Sequence, residues 1–154
     1  MILCPEALYG KHILCTGGAG FLATNLIEAV IDHCEVTVLD TMRRNALQYS
    51  PVMGHKNLHV EQGDVLDRDF VQGLAYKKTH ILHMAAIAGV SVVVSNPAFT
   101  LHTNLQGTMN VLDAAWDNRV ERFIDFSTSE VYGPHVYQAK ENGQTTQGSL
   151  YEPR

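Results

Sequence analysis

Thr16-Gly17-Gly18-Ala19-Gly20-Phe21-Leu22-Ala23 is the stretch whose reading decides the fold. Before it, His12 to Thr16 carries the apolar run Ile13, Leu14, Cys15 and then stops abruptly at Gly17-Gly18, as a buried strand does on entering a tight turn. After Gly20 the period changes. Phe21, Leu22, Leu26, Ile27, Val30 and Ile31 recur at intervals of three and four, the spacing of one helix face. Glycine supplies the backbone angles that such a turn needs, and the missing side chain at Gly20 lets an anion approach the amides at the helix N-terminus, where the dipole favours negative charge. Ala23 is small enough for close packing of helix on strand.

Working outward, the chain alternates strand and helix. Glu35 to Asp40 reads as a second strand, followed by a polar, irregular stretch from Thr41 to Lys56 and a third strand at Asn57 to Gln62. A short helix is expected over Asp67 to Tyr76, a fourth strand over Thr79 to Ala86, and a long helix over about Pro97 to Asn118, opened by Asn96-Pro97. On that long helix Leu101, Leu105, Thr108, Leu112 and Ala115 are expected to form the stripe that packs on the sheet. A fifth strand, Arg122 to Ser127, precedes a Gly-, Gln- and Thr-rich tail from Gly133 to Arg154 with no clear period. Parallel strands joined by right-handed crossovers are the economical arrangement of this pattern. The expected fold is α/β, a Rossmann-like doubly wound sheet of strand order 3-2-1-4-5 in one domain over residues 1–154.

Composition agrees with one globular domain: 154 residues, 45% hydrophobic and 18% charged, which excludes disordered and collagen-like classes. The net charge of −5 argues against nucleic acid or an anionic membrane as partner. No apolar stretch approaches the roughly 18 residues of a membrane span, and Pro5 and Glu6 interrupt the N-terminus where a signal peptide would need its apolar core. Three cysteines without metal spacing, Cys4, Cys15 and Cys34, read as reduced thiols, so a cytoplasmic location is expected.

Asp40 ends the second strand 20 residues after Gly20, where an acidic group accepts hydrogen bonds from the adenosine ribose hydroxyls of NAD. Its carboxylate would repel the 2′-phosphate of NADP; Arg43 and Arg44 pull the other way, and NAD is favoured because Asp40 holds the strand end itself.

Together with Thr16-Gly17-x-x-Gly20-x-x-Ala23, the chain carries Gly63-Asp64-Val65, His83-Met84-Ala85-Ala86, Asn104 and Ser127-Thr128-Ser129-Glu130-Val131-Tyr132-Gly133 in this order. The sequence from about Lys11 to Arg154 thereby resembles the extended short-chain dehydrogenase/reductase family, and within it the NAD-dependent sugar-nucleotide epimerases and dehydratases. The resemblance implies a cofactor-binding set of Gly17, Gly20, Phe21, Leu22, Asp40, Asp64, Val65, Ala85, Ala86 and Asn104. In that set Asp64 and the backbone of Val65 would hold the adenine, and Ala85 and Ala86 would line the dinucleotide. Thr128 would hydrogen-bond the sugar hydroxyl being oxidised, and Ser129 and Glu130 fall where the acid/base pair of the dehydratases and decarboxylases lies.

Two departures from the family pattern matter. The third glycine of its fingerprint is Ala23, a mild change. The family's Tyr-x-x-x-Lys is absent; the nearest match, Tyr137-Gln138-Ala139-Lys140, is one residue short and too close to Thr128. On a helix the family's spacing of four stacks the two side chains on one face, and this loop does not. A segment like Ser149 to Arg154 precedes that helix in relatives, so the chain is expected to be the N-terminal part of such a protein, with the sheet incomplete on its C-terminal side and inactive alone.

The implied chemistry is removal of a hydride from the 4-position of a nucleotide-linked hexose onto NAD, giving a 4-keto sugar. Hydride return to the opposite face is epimerisation; loss of water or of carboxylate beside the ketone is dehydration or decarboxylation. Ser129 stands where the dehydratases carry an aspartic acid, so an epimerase is expected, with a decarboxylase or dehydratase of the same family as the alternative. A non-catalytic dinucleotide-binding fragment or pseudoenzyme is the alternative of another class. Related proteins dimerise through the helix equivalent to the long one here, so a homodimer is expected of the full-length protein, with Met109 and Trp116, off the core stripe, as interface candidates.

Other residues invite weaker readings. His80 and His83 are three apart and would point to opposite faces of a strand, and no cysteine or carboxylate cluster joins them or the pair His55 and His59. No metal is expected. Cys15 reads as a core thiol rather than a nucleophile. Glu130, just beyond a strand end, is either near the substrate or bonded to its own loop.

Overall fold

The computed structural model describes residues 4–133 and 138–145; Tyr137 and the segment Ser149 to Arg154 lie outside them. Five strands, β1 (His12–Thr16), β2 (Glu35–Asp40), β3 (Leu58–Gln62), β4 (His80–His83) and β5 (Arg122–Asp125), alternate with helices α1 (Phe21–Val30), α2 (Arg68–Ala75), α3 (Val90–Ser95) and α4 (Pro97–Asp117). All strand pairs are parallel and the order is β3-β2-β1-β4-β5, the doubly wound arrangement expected from the sequence.

Strand alternation divides the core in two. Ile13 and Cys15 of β1 pack with Val36, Val38 and Leu82 under α1, whose buried residues are Ala23, Thr24, Ile27 and Val30. Leu14 points the other way, joining Leu39, Ile81, Val71 of α2 and Val111 and Ala114 of α4. Phe21 and Leu22 open α1 but stay exposed, so the buried face begins at Ala23. Asp67 caps α2, its Oδ1 accepting from the Phe70 amide at 3.1 Å.

The sequence reading needs correction in three places. β4 and β5 stop at His83 and Asp125 rather than at Ala86 and Ser127, because each leaves the sheet after one further ladder bond, Met84 N to Thr16 O (3.0 Å) and Phe126 N to His83 O (3.0 Å), and the segment after β4 goes on to line a cleft. Helix α3 was not foreseen: its Val-Ser-Val-Val-Val-Ser sequence is β-branched, and it follows Gly89, whose φ is +110°.

The third correction concerns α4. The expected core stripe is largely outside: Leu101, Leu105 and Leu112 are 67%, 58% and 45% exposed, and Met109 and Trp116 share their face. The buried face is Thr100, Thr103, Gly107, Asn110, Val111, Ala114 and Ala115. Closeness of approach, not greasiness, selects it. A Cβ on Gly107 would lie 2.6 Å from the Val65 Cγ2, so bulk there would push the helix off the sheet. Asn110 is admitted because its Nδ2 donates to the carbonyls of Val65 (2.9 Å) and Leu66 (3.2 Å).

Asn110 is therefore worth more to stability than the exposed polar residues of the same helix. Asn110→Ala is expected to cost about 1–3 kcal/mol by leaving two inward carbonyls short of a donor, whereas Asp113→Ala, on an exposed ion pair with Arg68, costs under about 0.5 kcal/mol. Urea denaturation of both variants checks the ranking.

Candidate functional site

The chain crosses from one side of the sheet to the other between β1 and β4, and a cleft of about 380 Å³ opens at the carboxyl ends of the strands there. This is the position at which open α/β sheets bind ligands, and the volume falls within the roughly 300–1,000 Å³ of small-molecule sites.

The floor is the glycine turn. Gly17 has φ +69°, and a Cβ on it would lie 2.7 Å from the backbone of Met84 and Ala85. Only a residue without a side chain lets the turn rest against the end of β4. Its amide donates to Leu39 O at 2.8 Å, tying the turn to β2. Gly20 precedes α1 without any side-chain cap, so the first-turn amides of Phe21, Leu22 and Ala23 are free to meet an anion. The exposed side chains of Phe21 and Leu22 do not line the cleft; what these residues offer is backbone.

Asp40 does more than its sequence position suggested. Its Oδ2 accepts from the Ala19 amide (3.1 Å) and its Oδ1 from the Met42 amide (2.8 Å), where Met42 has φ +62°. The carboxylate thus stitches the glycine turn to the loop after β2. With about four acceptor sites on an ionised carboxylate, capacity remains for two hydroxyl donors. Arg43 and Arg44 both line the same cleft as Asp40.

Asp64, Val65, Ala85 and Ala86 also line the cleft. Asp64 Oδ1 accepts from the Leu66 amide at 3.0 Å, closing the turn after β3. Asn104 does not line it. Its Oδ1 accepts from Ile87 N (2.7 Å) and its Nδ2 donates to Ile87 O (3.0 Å), so it grips the loop that forms the wall.

Thr128, Ser129 and Glu130 lie just beyond β5, exposed and outside the cleft lining. The Thr128 hydroxyl accepts from the Glu130 amide at 3.2 Å, a local turn that starts the 3-10 segment Ser129–Tyr132. Among the described residues no group of three metal ligands converges. Cys15 is fully buried, and burial, with Asp40 nearby, pushes its thiol up to about 12, which makes it inert as a nucleophile. No helix of the described residues is long and apolar enough to cross a membrane.

Sequence reasoning missed the far wall, formed by Ile87, Val92, Phe99 and Thr103. Thr103 is the informative one: it lines the cleft, and its buried Oγ1 has no hydrogen-bond partner among the described residues. A native interior seldom leaves a hydroxyl orphaned. Nothing in the local sequence marks it, because its burial depends on which face of α4 meets the sheet.

The chain matches the family described as the NAD dependent epimerase/dehydratase family over residues 13–154. It is 35% identical over 131 residues to dTDP-glucose 4,6-dehydratase of Streptomyces niveus, covering 79% of this chain and 39% of that protein. It is 38% identical over 138 residues to UDP-glucuronic acid decarboxylase 1 of Xenopus tropicalis, covering 85% and 30%. The crystal structure of UDP-glucose 4-epimerase from Bifidobacterium longum in complex with NAD+ and UDP superposes with a TM-score of 0.75 at 26% identity, covering 88% of this chain and 43% of that one. The chain thus spans less than half the length of these relatives.

In the ligand-free protein Thr103→Val removes an unpaired buried hydroxyl and keeps the shape, so stability is expected to rise by about 1 kcal/mol. A fall of similar size in the denaturation midpoint free energy would mean that the hydroxyl has a protein partner after all.

Proposed function

As the chain belongs to the NAD-dependent epimerase/dehydratase family, we propose that it is the NAD-binding N-terminal portion of a nucleoside-diphosphate-sugar epimerase that works through a 4-keto sugar intermediate. The observation that carries this reading is the convergence of the Gly17 turn, Asp40, Asp64 and Ala85 on one cleft at the β1/β4 crossover.

When bound, NAD would supply the reversible two-electron oxidation of the sugar's C4 hydroxyl. This chain's residues would hold it in parts. The free amides of Phe21 and Leu22 meet the pyrophosphate, with Gly17 and Gly20 leaving room for its approach. Asp40 accepts from the adenosine ribose hydroxyls through its remaining lone pairs, and Asp64 and the Val65 backbone hold the adenine. Ala85 and Ala86, lacking bulk, let the dinucleotide lie against the end of β4, where Asn104 keeps the wall in place through Ile87. On the substrate side Thr128 orients the sugar hydroxyl. Glu130 stands beside it, and Ser129 has no carboxyl with which to protonate a departing hydroxyl, which favours epimerisation over dehydration. The family's Tyr-x-x-x-Lys, which would supply the general base and its lysine partner, is absent from this sequence.

The same reading includes a homodimer of the full-length protein. Leu101, Leu105, Met109, Leu112 and Trp116 form a continuous apolar face on α4, and an exposed stripe of that kind supports burial against another helix surface. Leu105→Asp is expected to shift the full-length protein from dimer to monomer in analytical ultracentrifugation, while a variant that remains dimeric argues for a different interface.

Calorimetric titration tests the cofactor assignment: NAD binds more tightly than NADP, and Asp40→Ala lowers NAD affinity on the order of tenfold or more, since hydrogen bonds to a charged acceptor are lost. Tighter binding of NADP would overturn the role given to Asp40. For the reaction, the full-length protein should interconvert C4 epimers of a UDP- or dTDP-hexose; release of carbon dioxide or a stable 4-keto-6-deoxy product would reassign it within the family.

A further inference from the structure

His83 is buried at the end of β4, and its ring spans the gap between the sheet and α4. Nδ1 is 2.6 Å from Oγ1 of Thr16, the last residue of β1, and Nε2 is 3.0 Å from Oγ1 of Thr108 on α4. The direction of each bond follows from counting protons. The Thr108 hydroxyl donates to the Asn104 carbonyl at 2.7 Å, and a hydroxyl has one proton, so toward His83 it can only accept. Nε2 therefore carries the hydrogen. In the neutral ring Nδ1 is then bare and accepts from the Thr16 hydroxyl, whose oxygen in turn accepts from the Ala85 amide at 3.4 Å.

The result is one directed chain, from Ala85 N–H through Thr16, His83 and Thr108 to the Asn104 carbonyl. Asn104 then grips both backbone groups of Ile87. Both ends of the Ala85–Ile87 segment are thereby held, and that segment is a wall of the cleft.

We propose that His83, as the neutral Nε2–H tautomer, is a positioning residue that sets the Ala85–Ile87 wall against the glycine turn and so determines how well the cleft takes a dinucleotide. A doubly protonated ring breaks the chain: Nδ1–H would face the Thr16 hydroxyl, which would have to accept from it and leave its own proton without a partner. This rests on the reading above that the cleft holds NAD.

Burial lowers the pKa of His83 below its ordinary value, opposed by the weaker pull of Asp125 on β5. The groups that face it from β1 and α4, Thr16 and Thr108, are uncharged. Because the unfolded chain takes up the proton first, at about pH 6.5, His83 makes stability fall as pH drops from there toward its lower folded value. His80 is shifted the same way, so the contribution of His83 must be read from its own variants.

The test combines the ring's ¹⁵N spectrum, exchange of the Ala85 and Ile87 amides and NAD titration of the purified protein. The spectrum should report an unprotonated Nδ1 at neutral pH. His83→Phe fills the space but severs both bonds, and is expected to speed exchange at both amides and weaken NAD binding on the order of tenfold each; His83→Asn, which retains the acceptor for Thr16, should recover part of both. NAD affinity of the parent protein should fall as pH drops below about 6.5 through the lowered folded value of His83, and this fall should be lost in His83→Asn. An Nδ1–H tautomer, or parental exchange and affinity in His83→Phe, would overturn the proposal. If His83→Phe does not fold, the tautomer and the same measurements on Thr108→Val decide. Should the parent protein not bind NAD while the tautomer and amide protection are as expected, the cofactor reading fails and the bridge stands.

Discussion

The glycine turn after β1 rests so close to the end of β4 that a single methyl group on Gly17 would meet backbone atoms at 2.7 Å. Everything functional in this structure depends on that approach. It brings the free amides of the α1 N-terminus to the same edge as Ala85 and Ala86, and it lets Thr16 reach both the Ala85 amide and the His83 ring. It is held from the other side as well, because Asp40 accepts from Ala19 and Leu39 accepts from Gly17. The cleft is thus a product of strand ends kept in register, not of a flexible loop wrapped around a ligand.

Polar groups inside the molecule are placed by what they connect. Asn110 holds the turn after β3 to α4, Asn104 holds the loop after β4 to the same helix, and His83 joins β1 to α4 between them. A polar side chain in a helix–sheet contact costs desolvation, and each of these offsets the cost by saturating backbone groups that irregular chain would otherwise leave unpaired. Thr103 breaks the pattern by having no partner among the described residues, and it is also the member of that face that lines the cleft.

Legibility in the sequence followed the range of the interaction responsible. Strand β1, the turn and α1 could be read because their signals are local: an apolar run, two glycines, a helical period. Asp40 could be placed in the cleft because it closes its strand, whereas Asp64 was reached only through the resemblance to the family. The face of α4 could not be read. Hydrophobicity pointed to Leu101, Leu105 and Leu112, yet the sheet and α2 admitted Gly107, Ala114 and a satisfied Asn110 instead. Steric room at a helix–sheet contact is set by both partners, and Val65 is 42 positions away from Gly107 in neither a motif nor a repeat.

By itself, then, the sequence determined the alternation of elements, the anion-binding turn with its acidic partner and the strand order, since backbone preferences and hydrophobic period act over a few residues. The tertiary structure alone decided that Asp40 anchors the turn besides facing the cleft, that Asn104 acts through Ile87, and that His83 has one permitted tautomer. Those are matters of which donor meets which acceptor, and in a parallel sheet the partners come from strands and helices far apart in the chain.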